Sequence, residues 1–309
     1  MIYTVTLNPA IDKTVVIENF CPGAVNRIGM LREDAGGKGI NVSKCLKNLG
    51  ADSTASVILA GDAGRRLEKM LGETGIPSLA VWAEGESRTN LKIADPAKRE
   101  NTDINEPGPA VSGGLLEELK TQIGERILPG DLVILSGSLP AGADRGLYGN
   151  WTAYFRSLGA RVYMDADGEP MKQGIEAVPY LIKPNDGELA ALLGKEKLSR
   201  EEMVWEGRRL LETGIEEIVI SMGAEGALFV SREGCYFASA LPVEVKSTVG
   251  AGDSMVAAMA FGDVKNLSRE EKIRLAVAMG TASVMQSGTQ SPEAQLVWEL
   301  AEQVKITKL

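Results

Sequence analysis

Glycines, one carboxylate and the start of a helical pattern stand together in a single segment of this chain. Residues 247–254 are STVGAGDS, and an apolar, helix-like run follows at 255–261. The first turn of a helix leaves backbone N–H groups without intrahelical partners and carries a partial positive charge. Glycines there let the backbone approach an anion, and Asp253 can accept a proton from an attacking hydroxyl group. The segment predicts phosphoryl transfer, with a glycine-rich turn capped by Asp253 as the alternative.

The composition excludes several classes of function. With 33 basic and 42 acidic residues the chain has a net charge of −9, which disfavours non-specific binding to nucleic acid or to an anionic membrane. The chain contains no histidine, so Ser-His-Asp and Cys-His nucleophiles and histidine-containing metal sites are excluded. Phosphoryl transfer does not need histidine, because it depends on positioning, on charge stabilisation and on a carboxylate base.

The cysteines and the apolar segments predict where the protein works. Cys21, Cys45 and Cys235 are widely spaced and match neither a zinc cluster nor a disulfide framework, so we expect reduced thiols. No apolar stretch reaches the length of a membrane span. Residues 1–7 are predicted to form a strand rather than a signal peptide. The expected location is therefore the cytoplasm.

Short β-rich runs alternate with longer helical patterns along the chain. Strands are predicted at 2–7, 54–59, 131–135, 161–165, 181–183, 217–221, 227–231 and 235–238. Helices are predicted at 38–49, 63–73, 111–126, 145–157, 187–193, 200–213, 251–261 and 268–286. This alternation predicts an α/β fold with a doubly wound, mostly parallel sheet that is covered by helices on both faces.

Two segments interrupt this alternation. Residues 14–31 and 87–105 have alternating, polar-rich patterns with no long helix between their strands. We expect them to pair as a small inserted sheet, because structureless loops of that length are uncommon in compact domains. The alternative is two long surface loops. The chain is otherwise predicted to be one domain over residues 1–309, with a frayed end at 305–309.

Ligands of a doubly wound sheet bind beyond the carboxyl ends of its strands, and two further glycine-rich runs are expected there. The amides of residues 36–39 (GGKG) and the Lys38 ammonium can bind an anion, or the run is a plain turn with an exposed lysine. It lacks the Walker A spacing. Residues 136–140 (SGSLP) are a second place where backbone can approach a substrate, or an ordinary strand-to-helix turn.

Two strand ends predict a nucleotide site. Asn185 and Glu188 stand three residues apart at a helix start, where they can hold the water shell of a Mg²⁺ ion. A capping-box pair is the simpler alternative. Ser221 is followed by Gly223 and Gly226, which either cover nucleotide phosphates or turn a hairpin.

Together these motifs resemble the PfkB branch of the ribokinase-like sugar kinases over essentially the whole chain. Residues 248–253 are similar to the anion hole and catalytic aspartate of that family, 36–41 to its sugar-binding motif, and 185–188 to its N-x-x-E magnesium motif. Runs at 6–12, 36–42, 105–108, 136–140 and 182–185 resemble a narrower group, the 1-phosphofructokinases and tagatose-6-phosphate kinases. The resemblance implies a three-layer ribokinase-like fold in which segments of about 12–32 and 87–105 form a lid.

The resemblance implies an ATP- and Mg²⁺-dependent enzyme that converts D-fructose 1-phosphate to fructose 1,6-bisphosphate. Tagatose 6-phosphate and fructose 6-phosphate remain alternative substrates, because each places phosphate and reacting hydroxyl at opposite ends of a similar ketose. A sugar-phosphate-binding regulator without catalysis is a further alternative, which the intact Asp253 turn argues against. A nicotinamide dehydrogenase fits less well, because no G-x-G-x-x-G follows the first strand.

The same resemblance assigns roles to particular residues. Asp253 would be the general base, and the amides of Gly250, Ala251 and Gly252 would form the anion hole. Sugar-phosphate binding is implied for Asp12, Arg27, Gly37, Lys38, Asn41, Arg88 and Ser138. Nucleotide binding is implied for Lys183, Asn185, Ser221, Gly223, Gly226 and Thr248, with adenine near Ala278 and Ala282. Asn185 and Glu188 would support Mg²⁺ from its outer shell, and a homodimer through the lid is expected.

Overall fold

The computed structural model describes residues 1–286 and 288–309, which contain both strands and helices. The strands are β1 (Ile2–Thr6), β2 (Ala10–Val16), β3 (Met30–Gly36), β4 (Thr54–Ala60), β5 (Ser78–Ala83), β6 (Arg88–Asp95), β7 (Glu100–Asn105), β8 (Leu132–Ser136), β9 (Arg161–Asp165), β10 (Leu181–Ile182), β11 (Glu217–Ser221), β12 (Gly226–Ser231), β13 (Gly234–Ser239) and β14 (Ile306–Lys308). The helices are α1 (Lys38–Asn48), α2 (Gly61–Glu73), α3 (Gly113–Gly124), α4 (Leu147–Ser157), α5 (Gly168–Glu176), α6 (Asp186–Leu192), α7 (Arg200–Glu212), α8 (Ala251–Val264), α9 (Arg269–Val284) and α10 (Ala294–Ala301).

Ten strands form the main sheet, in the order β14-β13-β12-β11-β10-β9-β8-β1-β4-β5. Every pair from β5 across to β11 is parallel. The pairs that join β11, β12, β13 and β14 are antiparallel. The predicted α/β fold with a mostly parallel main sheet is therefore confirmed.

Helices cover both faces of the main sheet, because successive side chains of a strand point to opposite sides. On β8, Val133 and Leu135 pack into a cluster with residues of α3 to α7. Ile134 between them packs into a second cluster with residues of α1, α8, α9 and α10. All three side chains are fully buried. Central strands buried on both faces explain why their sequences are apolar without alternation.

Strand β5 and helices α5 and α10 were not predicted from the sequence, and the prediction for the C-terminal segment was wrong. The predicted frayed end at 305–309 is instead β14, which pairs antiparallel with β13. The backbone N–H of Leu309 also donates to the carbonyl of Cys235 at 2.9 Å. So short a strand has no recognisable pattern of its own, because its stability comes from the neighbouring strand.

A second sheet, which we call the small sheet, contains β3, β2, β6 and β7 in that order. Strand β2 is antiparallel to β3 and parallel to β6, and β6 is antiparallel to β7. Its strands begin at Ala10 and continue to Gly36, beyond the predicted segment of 12–32. One side of the small sheet has its own apolar cluster around Val15, Ile17 and Ile93. The other side is polar and faces the main sheet across a cavity.

Buried ion pairs connect helices α8 and α9 to interior strands of the main sheet. The Lys272 ammonium lies 2.9 Å from a Glu217 oxygen and 2.8 Å from an Asp263 oxygen. Asp263 also accepts a hydrogen bond from the Tyr163 hydroxyl at 2.6 Å. Loss of one partner would leave a buried charge uncompensated, which is costly. The network fixes the turn between α8 and α9 to the start of β11.

All three cysteines are free, with Cys45 and Cys235 buried and Cys21 exposed. In the part of the chain that the structure describes, none of the helices has the length and apolar character that a membrane crossing requires.

Candidate active site

A cavity of about 1090 Å³ lies between the small sheet and the carboxyl ends of the central strands. Its floor includes the residues that directly follow β1, β8, β9, β10 and β11, because the ends of parallel strands meet at one edge of the sheet. The start of α8 and the inner side of the small sheet complete the walls. The cavity therefore lies where the sequence analysis expected a ligand.

The turn before α8 brings backbone N–H groups to this cavity. Gly250 is the N-cap of α8 and has a φ of 83°, a left-handed conformation that favours glycine. No side chain caps the helix, so its first N–H groups remain available to an anion. A side chain at Gly252 would displace the Lys183 ammonium, because an added Cβ would lie 2.9 Å from it. The local structure therefore explains why glycine is favoured at both positions.

Asp253 lies in the first turn of α8 with only 5% of its surface exposed. The Asn41 side-chain amide donates a hydrogen bond of 2.9 Å to one of its carboxylate oxygens. Burial, followed by the negative charge of Asp165, raises the pKa of Asp253 to about 6, although Lys38, Asn41 and Lys183 act in the opposite direction. A carboxylate with this pKa is ionised at neutral pH and is a better proton acceptor than an ordinary aspartate.

Two lysines flank the buried carboxylate of Asp165. The ammonium groups of Lys38 and Lys183 each lie 3.4 Å from the same Asp165 oxygen. Burial lowers the pKa of Lys38, but the carboxylates of Asp165 and Asp253 outweigh it and leave that pKa above its ordinary value. Lys38 is therefore charged. Asp165 was not predicted from the sequence as a site residue, although its position at the carboxyl end of a buried strand is a signal that could have found it.

The other end of the cavity contains Asp12 and Arg88. The side-chain amide of Asn90 donates to Asp12 at 3.0 Å, and burial raises the pKa of Asp12. The guanidinium of Arg88 donates to the backbone carbonyls of Asn8 at 3.1 Å and Glu106 at 3.4 Å. Burial lowers the pKa of Arg88, against the opposing effect of Asp12. These backbone contacts fix the orientation of Arg88 and leave it other N–H donors.

Several buried polar side-chain atoms in the cavity wall have no hydrogen-bond partner among the described residues, and they include the side-chain carbonyl oxygens of Asn41 and Asn90. The other end of each amide is already used, by Asp253 and by Asp12 respectively. An unpartnered buried acceptor is costly, and a ligand hydroxyl would supply the missing donor. Asn90, like Asp165, was not predicted from the sequence.

At the start of α6, Asn185 and Glu188 form the capping box that the sequence analysis held as the alternative. The Asn185 side chain accepts from the Glu188 N–H, and the Glu188 side chain accepts from the Asn185 N–H, both at 2.7 Å. Both residues also line the cavity. Among the described residues, no group of three or more Asp, Glu or Cys side chains is arranged to hold a metal ion by itself.

Most of the predicted site residues line this one cavity. They are Asp12, Gly37, Lys38, Asn41, Arg88, Ser138, Lys183, Asn185, Glu188, Ser221, Gly223, Gly226, Thr248, Gly250, Ala251, Gly252 and Asp253. Lys38 and Arg88 have different charged neighbours, however. Asp165 and Asp253 surround Lys38, whereas Asp12 is the acidic neighbour of Arg88. The two cations therefore face different parts of the cavity.

Three predicted site residues lie elsewhere. Ala278 and Ala282 on α9 are fully buried in the core, where they pack with α8. The cavity wall is instead formed by another stripe of α9, which includes Val277, Thr281 and Val284. Helical periodicity separates the two stripes, because residues three and four apart share a face. Arg27 is exposed in the loop between β2 and β3, outside the cavity lining.

A glycine-rich helix start, a buried carboxylate and lysines in one cavity of an α/β sheet form the site of a phosphoryl-transfer enzyme. The pfkB family carbohydrate kinase domain matches residues 5–296. The chain belongs to this family, as the resemblance in the sequence had indicated.

Known proteins similar to this chain include both curated sequences and solved structures. The 1-phosphofructokinase of Bacillus subtilis is 35% identical over 309 residues, which is 100% of each chain. The 1-phosphofructokinase of Xanthomonas campestris pv. campestris is 39% identical over 281 residues, 89% of this chain and 88% of that one. The structure of Escherichia coli phosphofructokinase-2 in complex with substrates and products is 30% identical, covers 98% of both chains and has a TM-score of 0.93.

Proposed function

We propose that this protein transfers the γ-phosphoryl group of ATP to the 6-hydroxyl group of D-fructose 1-phosphate. One observation carries the proposal: a single cavity joins the Asp253 turn to the Asp12 and Arg88 end. The first end suits proton removal and a transferring phosphoryl group, and the second suits a sugar that already has a phosphate. The 1-phosphofructokinases of Bacillus subtilis and Xanthomonas campestris support this choice of substrate.

Asp253 is the general base in this proposal. The 6-hydroxyl oxygen attacks the γ-phosphorus as its proton passes to the Asp253 carboxylate. The bond between the γ-phosphorus and the bridging oxygen breaks, and ADP leaves with the electron pair. The N–H groups of Gly250, Ala251 and Gly252 stabilise charge that develops on the transferred group, an effect of about 3–4 kcal/mol per donor in other enzymes.

The two cationic regions take different phosphates. Arg88 binds the 1-phosphate of the sugar, because its guanidinium lines the cavity, is held by two backbone carbonyls and has further N–H donors. Lys38 acts on the phosphoryl group in transfer, because its neighbours are Asp165 and Asp253. Asp12, Asn41 and the backbone around Gly37 and Ser138 bind the sugar hydroxyls. The unpartnered oxygens of Asn41 and Asn90 favour a ligand with several hydroxyl groups.

ATP occupies the remaining length of the cavity. Lys183, Ser221, Gly223, Gly226 and Thr248 lie along its phosphate path, and the apolar stripe of α9 faces the adenine. The hard oxygen donors of Asn185 and Glu188 fit Mg²⁺, which keeps several waters and takes few protein ligands. When bound with ATP, Mg²⁺ neutralises charge on the phosphates. The small sheet acts as a lid that keeps water away from the γ-phosphate.

The substrate assignment is tested with a panel of ketose phosphates. Purified protein and Mg-ATP are incubated with fructose 1-phosphate, tagatose 6-phosphate or fructose 6-phosphate, and products are identified by ³¹P NMR. We expect the highest kcat/KM for fructose 1-phosphate and fructose 1,6-bisphosphate as its product. Fructose 6-phosphate is the second candidate, because the related Escherichia coli phosphofructokinase-2 has a structure in complex with fructose-6-phosphate. Phosphorylation of another sugar, with fructose 1-phosphate left unchanged, would reject the assignment. The variant Asp52→Asn, at an exposed position, is the control for differences between protein preparations.

A homodimer through the small sheet completes the proposal. Ile28, Met30, Leu31 and Ile104 are each about half exposed on this sheet and its loops, and an apolar surface of this kind favours a partner. We expect a dimer in multi-angle light scattering, and Ile104→Lys should shift the protein toward the monomer. Exposed Leu128, which lies outside the small sheet, offers a control as Leu128→Lys. A monomeric wild-type protein at micromolar concentration would contradict the dimer.

A further inference from the structure

A lysine on the small sheet lies beside the turn that precedes α8. Arg88, Asn90 and Lys92 alternate along β6 and all line the cavity, because side chains two residues apart share one face of a strand. The ammonium of Lys92 lies 2.8 Å from the hydroxyl oxygen of Ser247. Lys92 and Ser247 are 155 residues apart in the sequence. The contact therefore connects the small sheet directly to the segment that leads into Gly250 and Asp253.

Ser247 is a fixed point on the main body of the protein. Its side chain is buried, with 3% of the residue exposed. The N–H groups of Lys246 and Ser247 both donate to the carbonyl of Val284 at the end of α9, at 2.8 and 3.2 Å. The Ser247 hydroxyl oxygen also accepts from the Val249 N–H at 3.3 Å. Ser247 is therefore hydrogen-bonded within the turn that precedes α8 and is fixed to the end of α9.

The hydrogen bond to Ser247 is informative, because an acidic residue of the small sheet stands opposite Lys92. Asp103 lies directly opposite Lys92 on β7, and opposite charges at such positions attract each other. Among the described residues, the Lys92 ammonium nevertheless donates to Ser247, which lies outside the small sheet, rather than to Asp103. Along β6, four residues separate Lys92 from Arg88, which corresponds to about 13 Å. The two cations therefore stand at opposite ends of the inner side of the small sheet.

We propose that Lys92 is a positioning residue for phosphoryl transfer, whose hydrogen bond to Ser247 holds the small sheet against the turn of the anion hole. This inference rests on the proposed kinase function. The contact closes the cavity at the end where Asp253 and the first N–H groups of α8 meet the substrate. Closure there excludes water, which would otherwise compete with the sugar hydroxyl for the γ-phosphate. Lys92 acts through the turn and removes no proton itself.

The test compares Lys92→Met, Lys92→Arg and Ser247→Ala with the wild type. Two quantities are measured with whichever ketose phosphate the wild type phosphorylates best: kcat, and the number of ADP molecules released per sugar bisphosphate formed. Lys13→Met is the matched control, because Lys13 is on the neighbouring strand β2, pairs with Glu33 at 3.6 Å and does not line the cavity. Hydrogen–deuterium exchange of segments 88–95 and 247–250 is measured without substrates.

For Lys92→Met and Ser247→Ala we expect kcat to fall about tenfold, as for the loss of one charged hydrogen bond. The number of ADP molecules released per sugar bisphosphate should rise above one.

Lys92→Arg should recover part of the lost kcat, and the variant with both substitutions should be no worse than either single variant. KM for ATP should stay within about twofold of wild type in all of these variants. Exchange should accelerate in both segments in Lys92→Met but not in Lys13→Met.

An unchanged ratio of ADP to product in Lys92→Met overturns the positioning role, even when exchange accelerates. Equal behaviour of Lys92→Met and Lys13→Met overturns it as well. A wild type that phosphorylates none of the sugars rejects the proposed function instead. In that case the exchange measurement still decides whether Lys92 connects the small sheet to the turn, so the two failures are distinguishable.

Discussion

Asp253→Asn is expected to lower kcat by about 10²–10⁴-fold, the usual contribution of a general base. Asparagine has nearly the same size and can keep a hydrogen bond with Asn41, but it cannot accept the proton of the attacking hydroxyl. ATP affinity should change little, because the proposed role of Asp253 is toward the sugar hydroxyl and not toward the nucleotide. Steady-state kinetics and isothermal titration with ATP measure the two effects separately. Turnover within tenfold of wild type would show that another group removes the proton.

The pKa of Asp253 also predicts how kcat/KM depends on pH. The carboxylate must be ionised to accept a proton, and its pKa is raised to about 6. Therefore kcat/KM should be full near pH 8 and should fall about tenfold per pH unit below pH 6. The hydrogen bond from Asn41 acts to lower this pKa, so Asn41→Ala should move the acidic limb to higher pH. A limb near pH 4 in the wild type would contradict the assignment of Asp253.

Arg88→Met is expected to raise KM for fructose 1-phosphate by about 10–100-fold with little change in KM for ATP. A hydrogen bond to a charged group contributes about 1.5–3 kcal/mol, and each 1.4 kcal/mol corresponds to about a factor of ten in affinity. Arg88 donates to the carbonyls of Asn8 and Glu106, so its guanidinium is preorganised. Arg88→Lys should recover only part of the affinity, because an ammonium lacks the planar fork of donors.

Unphosphorylated fructose is the control substrate for Arg88→Met. Any slow phosphorylation of unphosphorylated fructose should be equally fast in wild type and Arg88→Met, because that substrate has no phosphate for Arg88 to bind. Lys98→Met, which removes an exposed cation from the same sheet, should leave both KM values unchanged. A similar loss with fructose and with fructose 1-phosphate would mean that Arg88 supports the fold of the site rather than the phosphate.

The main sheet and the glycine-rich segments could be predicted because their signals are contiguous in the sequence. Buried parallel strands are short apolar runs, and helices α7 and α9 each begin with a Ser-x-x-Glu capping box. The anion-binding turn and Asp253 lie within one octapeptide. Neither conclusion required knowledge of which distant segments meet.

Particular residues show what a sequence does not contain. Ala278 and Ala282 were predicted beside adenine, but the way α9 rotates against α8 buries them and turns Val277 and Thr281 to the cavity. The strand at 306–308 has no periodicity, and it forms because β13 offers an unpaired edge. Lys38 was assigned to the sugar phosphate by its motif, whereas Asp165 on another strand sets its surroundings.

The sequence alone determined the α/β class, the absence of histidine chemistry and the helix start that carries Asp253, since each depends on neighbouring residues or on composition. The tertiary structure decided which charges meet: Asp165 between two lysines, Asn41 on Asp253, and Lys92 on Ser247. These contacts join segments more than 100 residues apart, except the pair of Lys183 and Asp165. Only chain packing sets such distances, and through burial it also sets the pKa on which the proposed reaction depends.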